Sequence, residues 1–359
     1  MATQHPRVMA SATDALEGML DSLIGYAGLA LRNAIASTVL ECKHYRKMPH
    51  EPDFMAALML RGVAEFAPRW VEHFQQTGHE LSILSVFCHQ RPIVKWPASP
   101  KGCELGDLLV MVRHHEPART CQSALLLQAK CIQPDWNHSG EPQLELYRSW
   151  PAFRYASPLR HEERDVLPKS VHGGAEYLVL FGPPFACDDY FQRRRPRPLQ
   201  WPQELWRAPL WVMPPADLGH SPRHLPIVLA EMLTLSAGRV IVPRGKDDAW
   251  SEVIWDILDM SLEKVFDRQR SGVMARPRVA QHGRASNAVA QLEALTVGWK
   301  SPSASMSLIT GSGSRSAQQA ASLFVSRAVP PEGPLPEGPA EEEFGMSLLL
   351  IEVGAGNEP

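Results

Sequence analysis

The sequence predicts an α/β fold in which a mixed sheet lies between layers of helices, and three observations carry that expectation. Apolar residues recur at helical spacing downstream of Pro52, at Phe54, Leu58, Val63, Phe66, Trp70 and Phe74. Two apolar runs of strand length, residues 108–112 and 124–127, stand a short polar stretch apart. A third run, residues 175–181, follows a segment with helical character, which is the strand–helix–strand order of a sheet covered by helices.

Taken in order, residues 12–39 read as a helix. Pro52 suits the first turn of the next helix, Pro68 should kink or divide it, and Gly78 should end it. Residues 81–88 read as a strand, with 92–96 as a possible hairpin partner. Between the two central runs lie His114, His115, Glu116, Pro117 and Ala118, too few residues for a crossover helix, so these strands should form an antiparallel hairpin. A polar loop over 134–142 precedes a short helix bearing Leu144, Tyr147 and Trp150, interrupted by Pro151, and the strand at 175–181 follows.

Residues 183–226 are dense in proline, tryptophan and arginine and should wrap the surface without regular structure. Two helices are then expected, 225–236, ending at Gly238, and 248–268, capped by Asp247 or Asp248, with an apolar stripe through Trp250, Val253, Ile254, Ile257, Leu258, Leu262, Val265 and Phe266. Residues 271–343, rich in Ser, Gly, Pro and Ala, predict a flexible tail. Residues 346–353 look like a strand that returns to a sheet edge. The expected organisation is an N-terminal helical segment (1–50), a core (51–182), a Pro/Trp/Arg-rich and helical extension (183–270) and the tail (271–359).

Composition narrows the function. An apolar content of 44% over 359 residues suffices for a sizeable core. A net charge of -3 means that any nucleic acid must be held by local patches rather than by the overall field. The cysteines at 42, 88, 103, 121, 131 and 187 form no CxxC pair and are expected to be reduced thiols of a cytoplasmic protein. Residues 1–13 lack the pattern of a signal peptide, and Arg32 and Asn33 interrupt the most apolar stretch, 20–40, so no membrane span is expected.

The chemistry-bearing residues gather around the hairpin. Hydrolysis of a phosphodiester needs a hard divalent cation held by oxygens. Asp107, at the start of the first strand, is the first candidate ligand, and Glu104 can turn its carboxylate to the same place from a preceding loop or remain a solvated loop acid. Gln128 can offer its amide oxygen and Ala129 its carbonyl, while Lys130 returns to the face of Gln128, where its ammonium can orient a water and offset charge on a phosphate. The plain alternative is that Lys130 marks where the strand reaches solvent.

Asp107 together with Gln128-x-Lys130 resembles the signature of the PD-(D/E)xK nuclease superfamily, most closely its Mrr-like variants in which QxK replaces ExK. The resemblance covers about residues 52–182. It implies a restriction-endonuclease-like core and a magnesium- or manganese-dependent (Mg2+ or Mn2+) endonuclease that cleaves DNA in the cytoplasm, often in bacterial restriction or antiphage defence. Because glutamine brings no charge, the resemblance implies a further acid from the helix preceding the first core strand, with Glu65 preferred to Glu72, so the expected metal set is Asp107, Glu104, Gln128 and Glu65, with Lys130 assisting attack.

DNA contacts are expected from Lys95, Lys101 and Arg113 and from the cluster Arg193, Arg194, Arg195 and Arg197, and the tryptophans at 201, 206 and 211 can stack bases or pack. A homo-oligomer or protein partner is compatible with the same residues, as are an inactive nuclease-fold module that binds nucleic acid or protein and a structural adaptor. His114-His115 lacks zinc-site partners, and Ser312 and Ser314 lack a nucleophile-elbow context.

Overall fold

The structure, a computed structural model, describes residues 16, 18–44, 49, 51–87, 92–116, 119–132, 142–156, 163–166, 173–181, 210–215, 222–270, 293–297 and 346–355. Helix α1 (Leu20–His44) comes first. A continuous rod follows, made of α2 (Glu51–Ala57), a π-helical stretch (Leu58–Gly62) and α3 (Val63–Gln76). All six residues of the expected stripe are buried in it, and Pro68 lies exposed inside α3 without ending it. Trp70 donates its indole N–H to the Leu23 carbonyl (3.0 Å), and Arg61 forks onto Glu41 (2.6 and 2.9 Å), which ties the rod to α1.

The strands are β1 (His79–Phe87), β2 (Ile93–Trp96), β3 (Ser99–Glu104), β4 (Leu108–Glu116) and β5 (Arg119–Ile132). Helix α4 (Pro142–Ser149), β6 (Phe153–Tyr155), β7 (Glu163–Arg164) and β8 (Ala175–Phe181) come next. They are followed by β9 (Leu210–Met213), β10 (Arg223–His224), α5 (Leu225–Leu233), β11 (Arg239–Val240), α6 (Ala249–Arg270), β12 (Glu293–Val297) and β13 (Ser347–Ala355).

The main sheet is mixed and nine-stranded, in the order β10-β9-β8-β5-β4-β13-β1-β12, with β11 on β5, and a second sheet runs β3-β2-β6-β7. The predicted hairpin forms in the register Leu108↔Leu127 to Glu116↔Arg119, and β8 joins β5 in parallel after α4. Along β4, Leu108, Val110 and Val112 enter the core beneath α1, the rod and α5, whereas Leu109 and Met111 enter the core formed with α4, α6 and the small sheet. Burial on both faces is why these strands read as unbroken apolar runs.

Four expectations change. Residues 92–96 pair with β3 and β6 in the second sheet, not with β1. The stretch 183–226 contributes β9 and β10, whose Leu210, Trp211, Val212 and Met213 are all buried. Within 271–343, β12 pairs with β1, and the rest of the expected flexible tail lies outside the described residues. Strand β13 does not cover an edge. It lies between β1 and β4, antiparallel to the first and parallel to the second, in the interior of the sheet.

The helical extension at 225–270 supplies one layer to each face, α5 to the first core and α6 to the second. Asp248 accepts the Ser251 N–H (3.0 Å) and so caps the start of α6. The first core cluster draws on Leu16, Phe54, Leu229 and Val353, one from each of the four expected segments. Helix α1 contains a stretch long and apolar enough to cross a membrane, and its inner face, Leu23, Ala27, Ala30 and Leu31, is buried in that cluster.

Candidate active site

Strand β3 ends at Glu104, and the chain reaches β4 through Leu105, Gly106 and Asp107. Glu104 therefore closes a strand instead of riding on a loop. Several contacts fix the connection. The Leu105 N–H donates to the Pro92 carbonyl (2.8 Å), and the Tyr147 hydroxyl donates to the Leu105 carbonyl (2.9 Å). Burial first, and the neighbouring Tyr177 second, hold the Tyr147 hydroxyl well above its ordinary titration range, so the donor keeps its proton.

Gly106 is wedged between strand and helix. A Cβ there would meet the Leu126 side chain at 2.7 Å and the Tyr147 oxygen at 3.1 Å. Gly106→Ala is expected to destabilise by about 1–3 kcal/mol through overpacking, read as a lowered midpoint in urea. An unchanged midpoint would mean that Leu126 yields freely.

Asp107 donates its backbone N–H to the Leu127 carbonyl (2.9 Å), the last rung before the hairpin opens, and so stands opposite Gln128. Because β4 begins at Leu108 while β5 continues to Ile132, the far end of β5, paired with β8 on one side, has backbone amides on its β4 side with no strand beside them. Two carboxylates take that place. Asp107 Oδ2 accepts the Ala129 N–H (2.7 Å), and Glu51 Oε1, from the start of α2, accepts the Cys131 N–H (2.8 Å). Gln128 is buried, its Nε2 donates to Asp107 Oδ2, and its Oε1 has no hydrogen-bond partner among the described residues.

The electrostatics single out Asp107. Burial, then the negative charge of Glu104, pushes its carboxyl well above the usual carboxylate range. Glu51 adds to the rise, while the Ala129 N–H and Lys130 oppose it. Glu104, Asp107, Glu51 and Lys130 are therefore one interacting group. Cys103 and Cys131 beside them are pushed up to about 12, chiefly by burial and then by Glu104 and Glu51 respectively, so neither is a thiolate nucleophile near neutral pH.

The donors are hard oxygens, and an orphaned amide oxygen next to a carboxylate of raised proton affinity fits a divalent cation in kind. Among the described residues no three His, Cys, Asp or Glu side chains converge on one metal position, so the full ligand set expected from sequence is not assembled.

Glu65 does not join the group. It is exposed on α3 and accepts a hydrogen bond from Asn33 of α1 (3.0 Å), while Glu72 pairs with Arg69 (3.3 Å). The acid from the helical layer is Glu51, which sequence reasoning missed. Acids in a first helical turn ordinarily answer the helix dipole, and what brings Glu51 here is the length of β5 beyond the hairpin.

Lys95 and Lys101 are exposed on β2 and β3. Arg113, expected at a DNA-binding rim, is buried. It pairs with Glu352 (3.5 Å), donates to Gln122 (3.2 Å) and lies over the Trp255 ring (5.6 Å). Trp211 is buried against His224 (ring centroids 4.0 Å) and offers no surface for a base. Arg193, Arg194, Arg195, Arg197, Trp201 and Trp206 lie outside the described residues. Comparisons with family models, with curated proteins and with solved structures give no match to this chain.

Proposed function

We propose that this chain is a metal-dependent DNA endonuclease with a restriction-endonuclease-like core, of the cytoplasmic restriction or antiphage kind. One observation carries the reading: the hairpin register sets Asp107 opposite Gln128, with Lys130 two residues further on. The succession of rod helix, β1, the β4–β5 hairpin, α4 and parallel β8 supports the core assignment.

Asp107 and the unpartnered Gln128 Oε1 offer oxygens to magnesium or manganese, and Glu104 and Glu51 supply the negative charge that glutamine lacks. A cation held there would supply Lewis acidity toward the phosphate and would lower the pKa of a water. Lys130 holds the phosphate and offsets the charge that develops on it.

A second reading has its own support. Asp107 and Glu51 each terminate a backbone amide of β5, a purely structural task, which favours an inactive nuclease-fold module that binds nucleic acid or a protein. Incubation of linear and plasmid DNA with magnesium or manganese separates the two. Cleavage should fall on the order of a hundredfold or more in Asp107→Asn, Lys130→Ala and Glu51→Gln, and stay unchanged in Glu65→Gln. Cleavage that survives both Asp107→Asn and Lys130→Ala would sink the site, and no cleavage by the wild type would favour the inactive module.

A further inference from the structure

The small sheet has two unlike faces. Val94, Trp96, Phe153 and Tyr155 point into the second core. On the other side, Lys95 of β2 stands in register with Arg154 of β6, and both are exposed. Lys101, also exposed, lies on the neighbouring β3, opposite the irregularity between Val94 and Trp96. Gly102 makes this crossing possible. Its φ is +75°, and a Cβ there would lie 2.4 Å from the Val94 carbonyl oxygen and 2.8 Å from Lys95 Cγ, so the Lys95 stem passes over bare backbone.

Three cations thus span three adjacent strands, roughly 10 Å at the usual strand spacing. Among the described residues the acids on these strands are Glu163, which pairs with Arg154 (2.9 Å) at the edge of the sheet, and Glu104, in register with Ile93 at the end of β3.

We propose that this outer face, through Lys95 and Arg154, together with the exposed Lys101 on the edge strand β3, is a docking platform for the phosphate backbone of duplex DNA and leads the strand to Asp107. It rests on the nuclease reading for its destination. Charge complementarity selects a polyanion, since duplex DNA carries one charge per about 1.7 Å of axis. The rings select the duplex. Trp96, Phe153 and Tyr155 are all buried, so among the described residues of these strands no aromatic face is offered on which unpaired bases could stack. Continuity supplies the direction, because β3 runs from Lys101 to Glu104 in three residues, roughly 10 Å, and then into Asp107.

The test uses the full chain without divalent metal. A fluorescent duplex and a single strand of equal length are titrated by anisotropy over a salt series, against wild type and the triple variant Lys95→Gln, Lys101→Gln, Arg154→Gln. Hydrolysis of bis(p-nitrophenyl) phosphate with manganese runs in parallel. The triple variant should bind the duplex about tenfold or more weakly and lose about 2 to 3 from the slope of log affinity against log salt. Its turnover of the small ester should match wild type, and wild type should prefer duplex to single strand.

Unchanged duplex affinity and slope overturn the platform. So does an equal loss from Arg32→Gln with Arg69→Gln, two exposed cations on the opposite helical layer, or tighter binding of the single strand. If wild type cleaves neither DNA nor the small ester, the nuclease reading fails while the binding result still decides the platform.

Discussion

Deletion of residues 346–359 is expected to abolish cooperative folding. Strand β13 is paired on both sides, with Leu81↔Val353 toward β1 and Val110↔Leu349 toward β4. Its side chains feed both cores: Leu349, Ile351 and Val353 lie on one face, and Met346, Leu348 and Leu350 on the other, each at most 5% exposed. At about 1.5–3 kcal/mol per buried side chain of this kind, these six contribute on the order of 9–18 kcal/mol, comparable with the whole stability of a domain. The deletion also strands Arg113, whose buried guanidinium faces Glu352. Urea unfolding followed by near- and far-ultraviolet circular dichroism should show no shared transition, while deletion of 356–359 alone should unfold as the full chain does. A cooperative transition in the longer deletion would mean that β1 and β4 can close on each other without β13.

This strand shows what a sequence carries and what it withholds. The run Leu348-Leu349-Leu350-Ile351 is apolar at consecutive positions, the mark of a strand buried on both faces, and that alone argues against an edge. Its neighbours are another matter, because the pairing of Leu349 with Val110 joins residues far apart in the chain and leaves no local trace. The hairpin was legible for the opposite reason, since its strands are adjacent and a proline-bearing link too short for a helix leaves few alternatives.

The same distinction governs the site. Asp107, Gln128 and Lys130 are legible because one local register relates them. Glu51 is not, since an acid at a helix start has an ordinary explanation and only the overhang of β5 gives it another. Arg113 was misread because its acidic partner lies in β13, and Glu65 because helical phase alone cannot say which turn of a rod approaches a sheet end.

Gln128→Glu is expected to exchange stability for cation affinity. A glutamate there loses the amide donor to Asp107 Oδ2 and sets two carboxylates side by side in a buried position already under the field of Glu104. Without divalent metal the variant should be less stable than wild type by on the order of 3 kcal/mol. Magnesium should reverse the loss, returning about 2.7 kcal/mol at a concentration 100 times its Kd.

Asp107 gives the pH dependence a definite sign. Its folded carboxyl titrates well above the unfolded one, so its contribution is fully present below the ordinary aspartate range and is lost as pH rises through the folded value. Asp107→Asn keeps an oxygen for the Ala129 N–H and removes the charge. Thermal unfolding without divalent metal, followed upward from about pH 4, the ordinary aspartate value, should therefore fall more steeply with pH in wild type than in Asp107→Asn, and saturating magnesium should flatten the wild-type curve. Equal slopes for the two proteins would show that Asp107 is already ionised at no cost. The carboxylate would then serve the Ala129 amide, and Gln128→Glu should gain nothing from magnesium.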